Sequence, residues 1–152
     1  SPQAGVVTQT STDPLPTDRK SARKVFSQRT NSLLGIQIVA SQPANADQEK
    51  AFAVTQNMFQ ADPDIQGLFA CNDVMAMGAV RALEGMGRED VQVVGFDASD
   101  DGRAAIKKGS MLASVAQYPG EMGRVALVKA VEKLEGKEIE TSIGTKVEVI
   151  DE

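Results

Sequence analysis

The chain has 152 residues, 41% of them hydrophobic, and a net charge of −5, which suffices for one globular domain and hardly for two. It carries one Cys and neither His nor Trp, which excludes a His-based triad, an imidazole metal site, a disulfide framework and a thiolate zinc cluster. The acidic balance argues against a general nucleic-acid coat, and the longest apolar run, near residues 74–80, is far too short for a membrane span.

Charge is uneven along the chain. Residues 1–32 hold Arg19, Lys20, Arg23, Lys24 and Arg29 against Asp13 and Asp18, a balance of +3, leaving −8 for residues 33–152. Ser, Thr, Gln and Pro are frequent in this stretch, so a solvated helix start with loops fits better than a nucleic-acid arm. Ser1 opens without the basic stretch and apolar core of a secretion signal. The expectation is a cytoplasmic protein, or one numbered from after a lost upstream segment.

In chain order, residues 5–8 read as a short strand and 17–27 as a helix opened by Asp18. Residues 35–40 (GIQIVA) are a strand bounded by the turn-like Ser41-Gln42-Pro43. Asn45 or Asp47 caps a helix to about Gln60, with Ala51, Val54 and Met58 on one stripe. Asp62-Pro63-Asp64 breaks it before a strand at 65–70. Asn72 and Asp73 open a helix through about Met86, which Gly87 ends. Residues 91–96 (VQVVGF) form the clearest buried strand, followed by a short helix near 100–108 and a strand at 112–116. Pro119 suits the first turn of a helix to about Leu134, and residues 145–150 alternate as a final edge strand. This alternation predicts an α/β fold: a doubly wound, mostly parallel sheet with helices on both faces.

Ligands in such folds sit beyond the carboxyl ends of the strands. Asn72 and Asp73 follow one strand there, Asp97 the next, and Gln117 the last parallel one. Asp accepts only, while Asn and Gln both donate and accept, a mixture that suits a polyhydroxylated ligand. Helix capping accounts equally well for Asn72 or Asp73 taken alone, and a turn role competes for Asp97. Cys71 lacks a His or second Cys to activate it and reads as a small buried hydrophobe. Met75, Met77, Met86 and Met122 read as core filling. Gly85-Met86-Gly87 ends a helix and so is no phosphate loop. No metal, cofactor or acid–base constellation emerges, and an enzyme is not expected.

The run Phe69-Ala70-Cys71-Asn72-Asp73-Val74-Met75-Ala76-Met77-Gly78-Ala79, followed by Val93-Val94-Gly95-Phe96-Asp97, resembles the periplasmic sugar-binding proteins of ABC transporters. Ser41-Gln42-Pro43-Ala44 and Ala116-Gln117-Tyr118-Pro119 fit the same pattern, which is most like the ribose-binding proteins. The resemblance implies a type I binding-protein fold, in which two α/β lobes close on a monosaccharide such as ribose and then dock with a membrane permease. It also implies a periplasmic location and binding without chemistry. Carried over by position, Asn72, Asp97 and Gln117 hold sugar hydroxyls, joined by an Arg. Thr17-Asp18-Arg19 fits that Arg best, although spacing back from Ser41 allows Arg23.

The chain departs from the family pattern in three ways. Ala46 stands where the family has an aromatic stacked on the sugar. Residues 9–34 match poorly. The first lobe is absent, so the expectation is a truncated receptor: residues 1–117 as a ligand-binding lobe, with 1–34 poorly matched, and 118–152 as a helix and strand that in the family pack partly on the first lobe. The apolar stripe of helix 119–134 is therefore expected to fold back on its own lobe or to pair with a second copy as a homodimer. The competing reading is the effector-binding domain of a LacI-type transcription regulator, which shares the fold and the Asn-Asp and Gly-Phe-Asp motifs. It is disfavoured by Arg88-Glu89-Asp90, which lacks the proline common before the regulator strand. No nucleic-acid partner is expected.

Overall fold

A computed structural model describes residues 3–8 and 36–152. Six strands form one sheet: β1 (Gln3–Thr8), β2 (Gln37–Pro43), β3 (Gly67–Ala70), β4 (Gln92–Phe96), β5 (Ala113–Gln117) and β6 (Val147–Ile150). Their spatial order is β2-β1-β3-β4-β5-β6, with the first five parallel and β6 antiparallel to β5. The order reverses direction after β2, as in doubly wound sheets, and this is the α/β class expected. The helix expected at 17–27 lies outside the described residues.

Helices α1 (Gln48–Ala61), α2 (Asp73–Met86) and α3 (Asp100–Lys108) connect β2 to β3, β3 to β4 and β4 to β5. All three crossovers advance across the sheet in the same direction, so their right-handedness puts them on one face. Their boundaries are set locally. Asp47 caps α1 by accepting from the Lys50 N–H at 2.8 Å, and Ser99 caps α3 by accepting from the Gly102 N–H at 3.1 Å. Gly87 and Gly109 end α2 and α3 in the left-handed conformation that glycine adopts without penalty.

Between this helical layer and the sheet, Ile65, Leu68, Met75, Ala79, Val93 and Met111 are buried in one cluster. Helices α1 and α2 are in tight contact at Gly78, where a Cβ would overlap the Gln48 carbonyl oxygen and lie 2.9 Å from the Ala51 Cβ. Arg88 ties two turns together: Nη1 donates to the Pro63 carbonyl at 2.7 Å, Nη2 to the Ile65 carbonyl at 3.2 Å, and Nε to Asp90 at 2.9 Å. The same guanidinium holds the Asp90 carboxyl below the usual carboxylate range.

The strand β2 runs three residues further than its sequence suggests. Ser41-Gln42-Pro43 reads as a turn, yet these residues pair with Val6, Val7 and Thr8 of β1. Pro43 is tolerated because β2 is an edge strand and Pro43 is its last residue.

The helix α4 (Pro119–Leu134) begins at its proline as expected but buries none of its residues. Leu127 is 71% exposed and Leu134 88%. The fold-back onto its own lobe expected from the sequence is not formed. What fastens this region is the strand that returns after it. On β6, Glu148 accepts from the Tyr118 hydroxyl and from Lys146 Nζ, and the Lys146 ammonium lies over the Tyr118 ring. The Glu148 carboxylate pushes the Tyr118 phenol above its ordinary value, and these two donors hold Glu148 below its own.

Gly78→Ala is expected to cost about 1–3 kcal/mol in urea unfolding, because backbone and not a flexible side chain stands in the way. Thr55→Val is expected to be neutral or stabilising, since the Thr55 hydroxyl is buried without a hydrogen-bond partner among the described residues. Tyr118 is the single tyrosine, so phenolate absorbance reads it directly. Its midpoint should lie above the ordinary tyrosine value and fall back in Glu148→Gln. The stabilisation from the raised Tyr118 is lost as pH rises through its folded value. That from the lowered Glu148 is lost as pH falls through its folded value.

Candidate functional site

The carboxyl ends of β3, β4 and β5 lie side by side, and each delivers one of the polar residues singled out in the sequence. After β3, Asn72 turns the chain into α2: its Oδ1 accepts from the Met75 N–H at 2.9 Å. Its other head, Nδ2, donates to nothing among the described residues, although the residue is 7% exposed. Capping and ligand binding are therefore compatible here, because they use different atoms.

After β4, Asp97 and Ala98 have φ of 107° and 48°, the left-handed side that residues with a Cβ rarely occupy. Such residues cost of order 1–3 kcal/mol each and persist only where their surroundings hold them. Here the Asp97 N–H donates to the Val115 carbonyl at 2.9 Å, the Ala98 N–H to Ser114 Oγ at 3.0 Å, and the Ser99 N–H to Asp73 Oδ2 at 2.7 Å. Arg103 Nε donates to the Ala98 carbonyl at 3.0 Å. The turn leaves the Asp97 side chain exposed. At the end of β5, Gln117 Nε2 donates to Asp97 Oδ1 at 2.6 Å.

The structure thus brings Asn72, Asp97 and Gln117 to one rim, with Asp97 and Gln117 in contact. Ala46 is on the same rim of the sheet but further along it, in the turn after the edge strand β2, exposed and with φ of 57°. Arg19 and Arg23 lie outside the described residues. Cys71 is half-buried and packs against the core.

The residue that sequence reasoning undervalued is Asp73. It reads as a helix opener beside Asn72, but it is 1% exposed. Its carboxylate accepts three hydrogen bonds, from the Ser99 N–H, Ser99 Oγ and Ser114 Oγ. The slot around it is glycine-lined, for a Cβ at Gly95 or Gly102 would overlap its oxygens. Those two glycines were the available signal, but nothing in their spacing names their partner.

A second concavity of about 670 Å³ opens at the opposite end of the sheet, lined among others by Leu83, Glu84, Arg88, Lys108 and Leu112. Of its charges, Lys108 pairs with Glu84 at 3.6 Å and Arg88 with Asp90, and the others, Glu89 and Asp151, are both acidic and accept only. The rim at the carboxyl ends is the better candidate. Chemically it offers one exposed carboxylate, two amide side chains and no nucleophile–base pair among the described residues, an arrangement for recognising hydroxyls.

Comparison with known proteins follows the same line. The family model described as "Periplasmic binding protein domain" matches residues 3–138. The chain is 41% identical over 113 residues to the ribose import binding protein of Salmonella typhimurium, covering 74% of this chain and 38% of the relative. It is 36% identical over 118 residues to the D-allose-binding periplasmic protein of Escherichia coli, again 38% of the relative's length. Among solved structures, an ABC transporter periplasmic solute-binding protein from Actinobacillus succinogenes with bound D-allose superposes with a TM-score of 0.79 at 31% identity. That match covers 99% of this chain and 53% of the other. The chain therefore spans about half, or less, of the proteins it matches.

The capping half of the role of Asn72 is separable. Asn72→Ala is expected to lower stability by about 1 kcal/mol in urea unfolding, and Asn72→Ser by much less, since serine caps comparably.

Proposed function

The chain belongs to the periplasmic binding protein domain family, and we propose that it supplies sugar-recognising groups of a solute-binding protein serving an ABC importer. The observation that carries this reading is the pair formed by Asp97 and Gln117 at 2.6 Å, on the same row of strand ends as Asn72, whose Nδ2 donates to nothing among the described residues, where this fold binds ligands. A sugar hydroxyl donates and accepts at once. Asp97 would accept from such hydroxyls in charge-assisted bonds, Asn72 Nδ2 would donate to another, and Gln117 would contribute both. Arg19, or Arg23 in its place, would add a forked pair of donors. Ala46 leaves that portion of the wall without the ring that stacks on sugar in the family, which weakens binding or alters which sugar fits. The names of the relatives favour an import protein over a transcription regulator.

In this reading the ligand is a monosaccharide such as ribose, the site binds and does no chemistry, and the working location is the periplasm. A permease would read the surface formed when two lobes close around the sugar, a hinge motion biased by ligand contacts. Residues 118–152 would carry the helix that the other half of a full-length relative covers. On the chain by itself, α4 would pair with a second copy through Leu127, Val128 and Val131, which are exposed.

The binding test is an NMR titration of the chain with D-ribose and D-allose. Saturable shifts confined to Asn72, Asp97 and Gln117 are expected, weak enough that calorimetry detects little heat, and Asp97→Ala should remove them. Micromolar affinity would contradict the half-site reading, and shifts absent with every sugar would sink sugar recognition. The pairing test is sedimentation velocity: a concentration-dependent dimer is expected, lost in Leu127→Glu/Val131→Glu. A monomer at all concentrations would reject the homodimer.

A further inference from the structure

Asp73 lies beneath the rim, not on it, and its three hydrogen bonds all leave its own helix. The Oδ2 atom accepts from the Ser99 N–H at 2.7 Å and from Ser99 Oγ at 2.9 Å, and Oδ1 accepts from Ser114 Oγ at 2.7 Å. Ser114 Oγ in turn accepts from the Ala98 N–H at 3.0 Å. One carboxylate therefore reaches two consecutive amides of the turn that carries Asp97, the first through a hydroxyl and the second directly. Helix capping does not account for this, since Asn72 already caps α2. Nor does packing alone. Glycines at 95 and 102 clear room on two sides for the carboxylate, on β4 and at the first turn of α3.

We propose that Asp73 is a positioning residue of the sugar site: it holds the turn 97–99, with Asp97 and Ala98 at positive φ, and so keeps the Asp97 carboxylate against Gln117. The proposal deepens the functional reading and rests on it for the role of Asp97. The chemistry is specific to a carboxylate. An amide at position 73 can place its oxygen toward Ser99, but its NH₂ then faces a Ser114 hydroxyl whose own hydrogen has lost its acceptor. The Ser114 oxygen has two lone pairs and can accept from this NH₂ and from the Ala98 N–H together, but the charge-assisted bond that fixed it is replaced by a weaker neutral one, and its hold on the Ala98 N–H is loosened. With two residues at positive φ, the turn has a more relaxed conformation to fall into once that support is weakened.

The test compares Asp73→Asn with Gly78→Ala by NMR, the second variant being destabilised at the contact of α2 with α1 and not at the turn 97–99. In Asp73→Asn, core signals from Val7, Ile65 and Leu68 should stay in place. The Ala98 and Ser99 amides and the Gln117 side-chain amide should move, and half-saturation by D-ribose should require about tenfold more sugar. In Gly78→Ala those rim signals should remain where they are in the unmodified chain. Rim signals unmoved in Asp73→Asn, or moved equally by Gly78→Ala, would overturn the proposal. If Asp73→Asn does not fold, Ser114→Ala removes the intervening hydroxyl alone and is judged by the same two outcomes. If the unmodified chain shows no sugar-dependent shift while Asp73→Asn still moves the rim signals, the sugar reading falls and the positioning of Asp97 by Asp73 stands.

Discussion

A carboxylate buried among three elements is the constraint on which the rest of the rim depends. A buried charge is tolerated only when hydrogen bonds replace its water, and Asp73 receives three, two of them on one oxygen. It stands in the first turn of α2, where the helix dipole also favours negative charge. Around that single group β4 presents Gly95, α3 has a serine as its cap and Gly102 in its first turn, and β5 carries the buried hydroxyl of Ser114. Ser99 does double duty, donating its hydroxyl hydrogen to Asp73 while its oxygen caps α3. The end of the sheet is thus organised from inside, and the exposed polar residues are its outer layer.

What could be read from the sequence follows the range of the forces involved. The opening of α2 at Asn72, its end at Gly87 and the start of α4 at Pro119 are local, because capping and fixed φ act within one turn of chain. The placement of Asn72, Asp97 and Gln117 together needed only strand order and the rule that ligands bind beyond strand ends. The long-range features were not legible. Ser41–Pro43 looks like a turn until β1 is beside it. The partners of Asp73 lie 26 and 41 residues further along the chain, and no periodicity encodes them. The stripe on α4 announces a helix with an apolar face but says nothing of what covers it.

Two roles that a sequence motif runs together are separate in the molecule. The adjacent pair Asn72-Asp73 behaves as one unit in a pattern but as two in the structure. Asn72 spends one atom on its helix and leaves another on the rim, whereas Asp73 spends both oxygens inside. Substituting either would disturb the site, but by different routes: one removes a contact and the other loosens the ground beneath a neighbour.

The way β5 and β6 are joined has a mechanical consequence. The chain leaves the sheet at Gln117 and returns at Val147, and these two residues are paired across the strands. Both tethers of α4 are therefore fixed at the same end of one antiparallel strand pair. A pull transmitted through α4 loads that pair from the open end, so its bonds break in succession, in the manner of a zipper, instead of failing together in shear. The first to be strained are next to Gln117, the partner of Asp97. Tension on this helix would be felt at the rim before it reached β1, β3 or β4, and the remainder of the sheet would stay closed while the edge opened.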